Sequence, residues 1–193
     1  MNVRNHMAAP VTVTALAPLS EAKRVMEENG FGVLLVAAED RTLEGFITRG
    51  ALKETTDWTV PVGKAAFAAR FTVSPDDTLE RAALLLVAHR LALLPVVEEG
   101  KLVGVVTQAE ALAALVRGLG IGLEGTRFTV RLRRDSDDLY RVLDVLHRRN
   151  VRLISLAQDR ADATHAWVVL RVQGTEDKEG LRSEIETVLL GDA

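Results

Sequence analysis

Ala92-Leu93-Leu94-Pro95-Val96-Val97-Glu98-Glu99-Gly100-Lys101-Leu102-Val103-Gly104-Val105-Val106-Thr107 is the stretch on which the reading of this chain turns. Two Val- and Leu-rich runs, Leu93–Val97 and Leu102–Val106, flank the turn Glu98-Glu99-Gly100. Short apolar runs around a Gly-containing turn predict a β-hairpin. The second run closes on Thr107, and the helical pattern Glu110-Ala111-Leu112-Ala113-Ala114-Leu115 follows at once. A hydroxyl between a strand end and a helix start lies beside backbone N–H groups that the helix leaves unpaired. That setting suits a phosphate or a sugar.

The same pattern stands earlier in the chain. Val33–Ala37, the polar stretch Glu39-Asp40-Arg41 and Leu43–Thr48 predict another hairpin, with a short helical piece over Gly50–Thr56. Thr12-Val13 recurs as Thr72-Val73, Leu19 as Leu79 and Ala22 as Ala82, sixty residues on. Gly45 recurs as Gly104 and Thr48 as Thr107 at fifty-nine, because the second turn is one residue shorter. The chain therefore carries a tandem repeat. A segment of that length is marginal as a separate core, so the two copies are expected to share one.

Within the copies the local signals are specific. Val3–Met7 reads as a lead-in packed on the first copy, and Val11–Thr14 as a brief strand. Pro18 suits a first helical position, Leu19, Ala22, Val25 and Met26 make the apolar stripe, and Asn29-Gly30 stops the helix. Asp57–Val62 links the copies, with Trp58 expected to plug the seam. Asp77-Thr78-Leu79-Glu80 reads as a capping box, Asp77 capping the helix and Glu80 reaching back. Leu84-Leu85-Leu86-Val87 makes that helix apolar nearly all round, and Leu84 and Val87 stand where the first copy has Arg24 and Glu27. A helix of that kind is covered on every side, by the linker region or by a second subunit; the subunit is preferred, which makes Leu84, Leu85 and Val87 a candidate dimer interface.

Beyond Arg117 the rhythm changes. The glycines of Arg117–Gly125 follow a helix and precede a strand, the reverse of a phosphate-binding loop, and read as a linker. Phe128–Arg133 alternates as a strand, Leu139, Val142, Leu143 and Leu146 form a helical stripe, and Val151–Leu156 and Ala166–Val172 read as strands about a turn at Asp159–Thr164. Leu181, Ile185, Val188 and Leu189 form a last helical stripe. The order β-α-β-β-α is that of a ferredoxin-like sandwich, and only Leu190–Ala193 remain for its fourth strand.

Composition narrows the function. The chain has 193 residues, a net charge of −3 and no cysteine. It has no apolar run long enough for a membrane span and no signal-peptide core, so a cytoplasmic protein is expected. His6, His89, His147 and His165 are scattered without a second ligand at helical spacing, and no Gly-x-Ser-x-Gly elbow occurs. No metal site or catalytic set is expected, and the protein is read as not an enzyme. The arginine-rich tail balances 12 basic against 12 acidic residues over positions 126–193, so no nucleic acid is expected as partner.

The repeat resembles the CBS domain, and the pair resembles a Bateman module, over about residues 1–117. The resemblance is carried by the helix, the strand Leu94-Pro95-Val96-Val97, and Gly104-Val105-Val106-Thr107 leading into a helix. The tail from about residue 126 is similar to an ACT domain in element order and size. The whole order is similar to that of bacterial acetoin-utilisation proteins. The resemblance implies a mixed α+β fold with two pseudo-symmetric β-α-β-β-α units and a ferredoxin-like ACT domain. Its divisions are 1–60, 61–117, a Gly-rich linker at 118–125, and 126–193.

It also implies a regulatory, ligand-sensing homodimer without a covalent cofactor. AMP, ADP, ATP or S-adenosylmethionine would lie in the cleft between the copies. The family places Ser or Thr three residues before an acid that holds the ribose. Thr48 and Thr107 match the hydroxyl, whereas the acid position is Ala51 in one copy and Glu110 in the other. Thr107 with Glu110 is therefore the preferred site, and Thr48, Thr12 and Thr72 complete the candidate set. In the ACT-like part, Asp135, Asp137 and Asp138 occupy the loop where such domains commonly carry a glycine. They read as an N-cap with first-turn acids, and a dimerising role is expected there in preference to amino-acid binding. The alternative function is a dimerising interaction protein with degenerate ligand sites.

Overall fold

The structure, a computed structural model, describes residues 1–191. The chain divides into two compact units, Met1–Ala114 and the residues from Leu115 on. In the first unit the first copy contains β1 (Thr12–Val13), α1 (Leu19–Asn29), β2 (Val33–Ala37), β3 (Leu43–Thr48) and α2 (Arg49–Lys53). The second contains α3 (Leu79–Ala88), β4 (Leu93–Glu98), β5 (Lys101–Thr107) and α4 (Gln108–Gly118). Strand β1 runs parallel to β2, β2 pairs antiparallel with β3, and β4 pairs antiparallel with β5. An isolated parallel bridge, Val73↔Val96, occupies the place of β1 in the second copy.

Each element follows from local chemistry. Gly30 ends α1 in the left-handed region at φ 70°, where a side chain would be strained. Glu99 and Gly100 both take positive φ (49° and 79°) between the paired Glu98 and Lys101, the two-residue turn whose twist suits a hairpin. Leu35, Ala37, Leu102 and Val105 form a buried cluster from both copies, and Leu102 N–H donates to the Arg41 carbonyl at 2.8 Å. Each copy also has a larger cluster of its own, so the copies share this small seam between two cores rather than the single core expected.

The copies are also finished by each other's flanking chain. Val3 is buried among Val73, Leu79, Leu86 and Val96 of the second copy, so the lead-in packs there and not on the first copy. Val3 N–H donates to Asp77 O at 2.9 Å, and Ala8 exchanges two backbone bonds with Val105. The connector does the same for the first copy. Val62 N–H donates to Ala17 O at 2.8 Å, and Phe67 exchanges two bonds with Phe46. This crossing explains the recurring glycines. A methyl on Gly45 would strike the Phe67 carbonyl, and one on Gly104 would lie 2.5 Å from Met7 Sδ.

Three further expectations are corrected. Trp58 does not plug the seam; it packs on the first copy's core with Lys23 Nζ 4.8 Å from its ring centre. Pro18 is the N-cap of α1, one residue before the first helical position. The cap at α3 lies one residue later than read, at Thr78. Thr78 caps, its Oγ1 accepting Arg81 N–H at 3.2 Å. Asp77 accepts Ser74 N–H at 2.8 Å, and Glu80 lies 3.2 Å from the amino group of Met1.

The second unit contains β6 (Thr126–Arg133), α5 (Asp138–Arg148), β7 (Arg152–Ala161), β8 (His165–Gln173) and α6 (Lys178–Leu190). The antiparallel sheet has the order β6-β8-β7. Phe128, Val130, Leu132, Val168, Leu170 and Val172 point from it into a core closed by Val142, Val145, Leu146, Leu181 and Ile185 of the helices. Strands β7 and β8 run five residues and one residue further toward their joining turn than the apolar runs indicated, so the turn shortens to positions 162–164. Leu190 ends α6, and the rest of the stretch left for a fourth strand includes positions 192–193, outside the described residues.

Candidate functional site

A cavity of about 550 Å³ opens in the first unit. Val33, Leu35, Phe46 and Thr48 line it from β2 and β3, Phe67 to Phe71 from the connector, and Leu91, Ala92, Leu93 and Pro95 from the second copy. Its walls are apolar, and Thr48 and Arg70 supply the polar side chains. Thr48 sits where β3 passes into α2 and caps that helix, its Oγ1 accepting Ala51 N–H at 3.2 Å. Arg70 is exposed and makes no salt bridge among the described residues. Phe71 is held by a stacked His89, ring centres 4.1 Å apart, and Phe46 meets Phe67 at 5.8 Å.

The other candidates fall elsewhere. Thr107 and Glu110 do not line this cavity. They form a capping box at α4: Thr107 N–H donates to a Glu110 carboxylate oxygen at 3.0 Å, and the Thr107 hydroxyl donates to the same oxygen. The Thr107 oxygen in turn accepts Ala109 N–H at 3.1 Å. A Thr-x-x-Glu sequence before an apolar helix has this structural use independent of any ligand. Thr12 and Thr72 are exposed and lie outside the cavity lining.

The aspartates of the second unit stand in part as read: Asp137 holds the N-cap position of α5 and Asp138 is the acid of its first turn. Asp137 makes no side-chain cap bond, and Asp135 takes φ 57° in the turn. Asp138 is 2% exposed. Its carboxylate accepts Arg133 N–H at 2.7 Å and the Arg133 guanidinium at 2.8 Å. The Arg133 side-chain bond, opposed by burial, holds its carboxyl below the usual carboxylate range. Its partner lies five residues back, on a strand, so helical spacing could not reveal it.

On α3, Leu84 and Val87 are 68% and 74% exposed, while Leu85 is partly buried against the second copy's core. The sequence reading missed Arg70, Phe67 and Phe71. A signal existed: the chain holds five phenylalanines, and two of them stand four residues apart in the connector. Among the described residues, no group of three His, Cys, Asp or Glu could hold a metal ion. No helix among them is long and apolar enough to cross a membrane.

Comparison with known proteins matches the two copies of the first unit to one family. The CBS domain family matches residues 3–55 and 68–117. Among solved structures, a CBS domain pair/ACT domain protein of Thermotoga maritima is 26% identical with a TM-score of 0.57, covering 62% of this chain and 99% of that one. An acetoin utilization protein of Vibrio cholerae is 22% identical, TM-score 0.57, covering 61% and 91%. CBSX2 of Arabidopsis thaliana, solved in complex with AMP, is 23% identical, TM-score 0.55, covering 60% and 96%. No curated protein matches the chain.

Proposed function

The chain belongs to the CBS domain family, and from that premise we propose that it is a non-enzymatic regulator that binds an adenine nucleotide in the Thr48 cavity. The cavity itself carries the reading. Its volume lies within the usual range for small-molecule sites, and its apolar walls with two polar groups have the usual composition. A flat base would lie against Phe46, Phe71, Val33 and Pro95, with Arg70 at the mouth for the phosphate. Thr48 faces the sugar. Ala51 offers the ribose no carboxylate, so base and phosphate carry the affinity. The AMP held by CBSX2 supports this class of ligand. The proposal moves the preferred site from Thr107 and Glu110, whose groups are spent on capping α4, to Thr48.

Calorimetric titration with AMP tests it. Val33→Trp, which fills the cavity, abolishes binding, and Arg70→Ala weakens it by roughly tenfold. AMP binding that survives Val33→Trp in a folded protein rejects the site.

A homodimer through α3 is the second element of the proposal. Leu84 and Val87 are exposed where the first copy has Arg24 and Glu27. Two large apolar side chains exposed three residues apart on one helix support an interface there, which a two-fold axis would use twice. The ACT-like reading of the second unit, the link to acetoin use and a cytoplasmic location belong to the same proposal. The Vibrio and Thermotoga proteins support the first two.

A further inference from the structure

The second unit holds as many acids as bases over positions 126–193, yet the structure separates them. Arg133, Arg148 and Arg149 pair with Asp138, Asp144, Asp177 and Glu184 beside the helices. The face of the sheet turned away from the helices carries Arg127, Arg131, Arg160 and Arg171. None of these four makes a salt bridge among the described residues. Arg131 and Arg160 lie over the Trp167 ring, at 5.3 and 4.4 Å. Arg127 and Arg171 stand directly opposite each other in the β6–β8 register, an arrangement that repels.

A cavity of about 440 Å³ lies at that pair. Arg127 and Arg171 line it together with Ser155, Val169, Leu119 and Ile121. The chain over positions 119–123 is tied down beside it: Ser155 Oγ donates to Leu119 O at 2.9 Å, and Arg171 Nη2 donates to Leu123 O at 3.2 Å. The Arg171 guanidinium is therefore fixed, yet its Nε is buried with no hydrogen-bond partner. An orphaned buried donor beside an unpaired cation marks a place for an acceptor. Asp159 also lines the cavity but forms no salt bridge with either arginine among the described residues.

We propose that this face holds a second ligand site, which takes a small organic anion between Arg127 and Arg171 and its apolar body against Val169, Leu119 and Ile121. Two planar guanidinium groups match a carboxylate or a phosphate monoester. The anion relieves the repulsion of the register pair by meeting the guanidinium groups of Arg127 and Arg171 that line the cavity. The site is separate from the Thr48 cavity and does not depend on it.

Trp167 reports on the site, since it is central to the same face. In full-length Trp58→Phe protein it is the remaining tryptophan. Phenyl phosphate and benzoate are titrated, with inorganic phosphate and phenol as controls. A saturable change in Trp167 fluorescence is expected with phenyl phosphate or benzoate below about 10 mM, and the stronger of the two identifies the anion class. Inorganic phosphate and phenol, each lacking half the ligand, bind at least about tenfold more weakly. Arg127→Gln weakens binding by the same factor, Arg127→Lys restores part of it, and AMP titration of the first unit is unchanged. Absence of saturation with both organic anions overturns the proposal. So does binding that Arg127→Gln and Val169→Glu leave intact in folded protein.

Discussion

At the scale of single residues, Asp138 shows how a buried charge is kept. One carboxylate joins the end of β6 to the start of α5, and Ser136 closes the turn by donating to Arg133 O at 2.8 Å and accepting Asp138 N–H at 3.2 Å. Its pKa is depressed, so the folded state takes up this proton at lower pH than the unfolded state. The stabilisation is complete above the unfolded value of about 3.9 and is lost as pH falls through the folded value. Asp138→Asn should flatten this acid limb in urea titrations and cost about 1–3 kcal/mol at neutral pH. Arg133 is partly exposed, which keeps the cost below that of a fully buried pair. Glu110 makes the complementary case. Glu110→Ala should lower stability by about 1 kcal/mol through the lost capping box while AMP titrates as in the parent protein. A Glu110→Ala protein of parental stability that no longer binds AMP would return the site to Thr107. The Thr48 cavity escaped the sequence reading because its polar rim comes from Arg70, in a connector without periodicity, whereas Thr48 itself was legible from its place between strand and helix.

At the scale of elements, the hairpins and helices were readable because each carries its own punctuation: Gly30, Glu99-Gly100, and apolar stripes with helical spacing. The destinations of the lead-in and the connector were not. Apolar pattern says that Val3 is buried, but burial in either copy satisfies the same pattern. The exposed side of α3 was legible by comparing the copies, and it yields a direct test. Leu84→Glu with Val87→Glu should shift the light-scattering mass from dimer toward monomer, and Arg24→Ala should not. Each buried leucine contributes about 1.5–3 kcal/mol, counted twice across a two-fold axis. A wild-type chain that is monomeric at high micromolar concentration rejects the interface.

At the scale of the whole chain, the exchange of flanking segments makes the first unit one cooperative body. Val3 and Val62, each fully buried, play the same part in opposite copies. Val3→Ala and Val62→Ala should each cost about 1–3 kcal/mol. Both should move a single unfolding transition of the first unit, by a few degrees per kcal/mol, rather than splitting it into two. Two separate transitions in the Val3→Ala protein would show that the copies fold independently.

The same exchange sets a schedule for synthesis. Positions 1–8 are made well ahead of the copy that receives them, and Ala8 has no partner strand until Val105 has been translated. Once Phe67 follows, the first copy has its connector but still lacks Leu102 and Val105, which bury Leu35 and Ala37. A chain made only as far as the stretch between Phe67 and Val105 therefore holds a first copy short of its shared contacts and an idle strap waiting for the second.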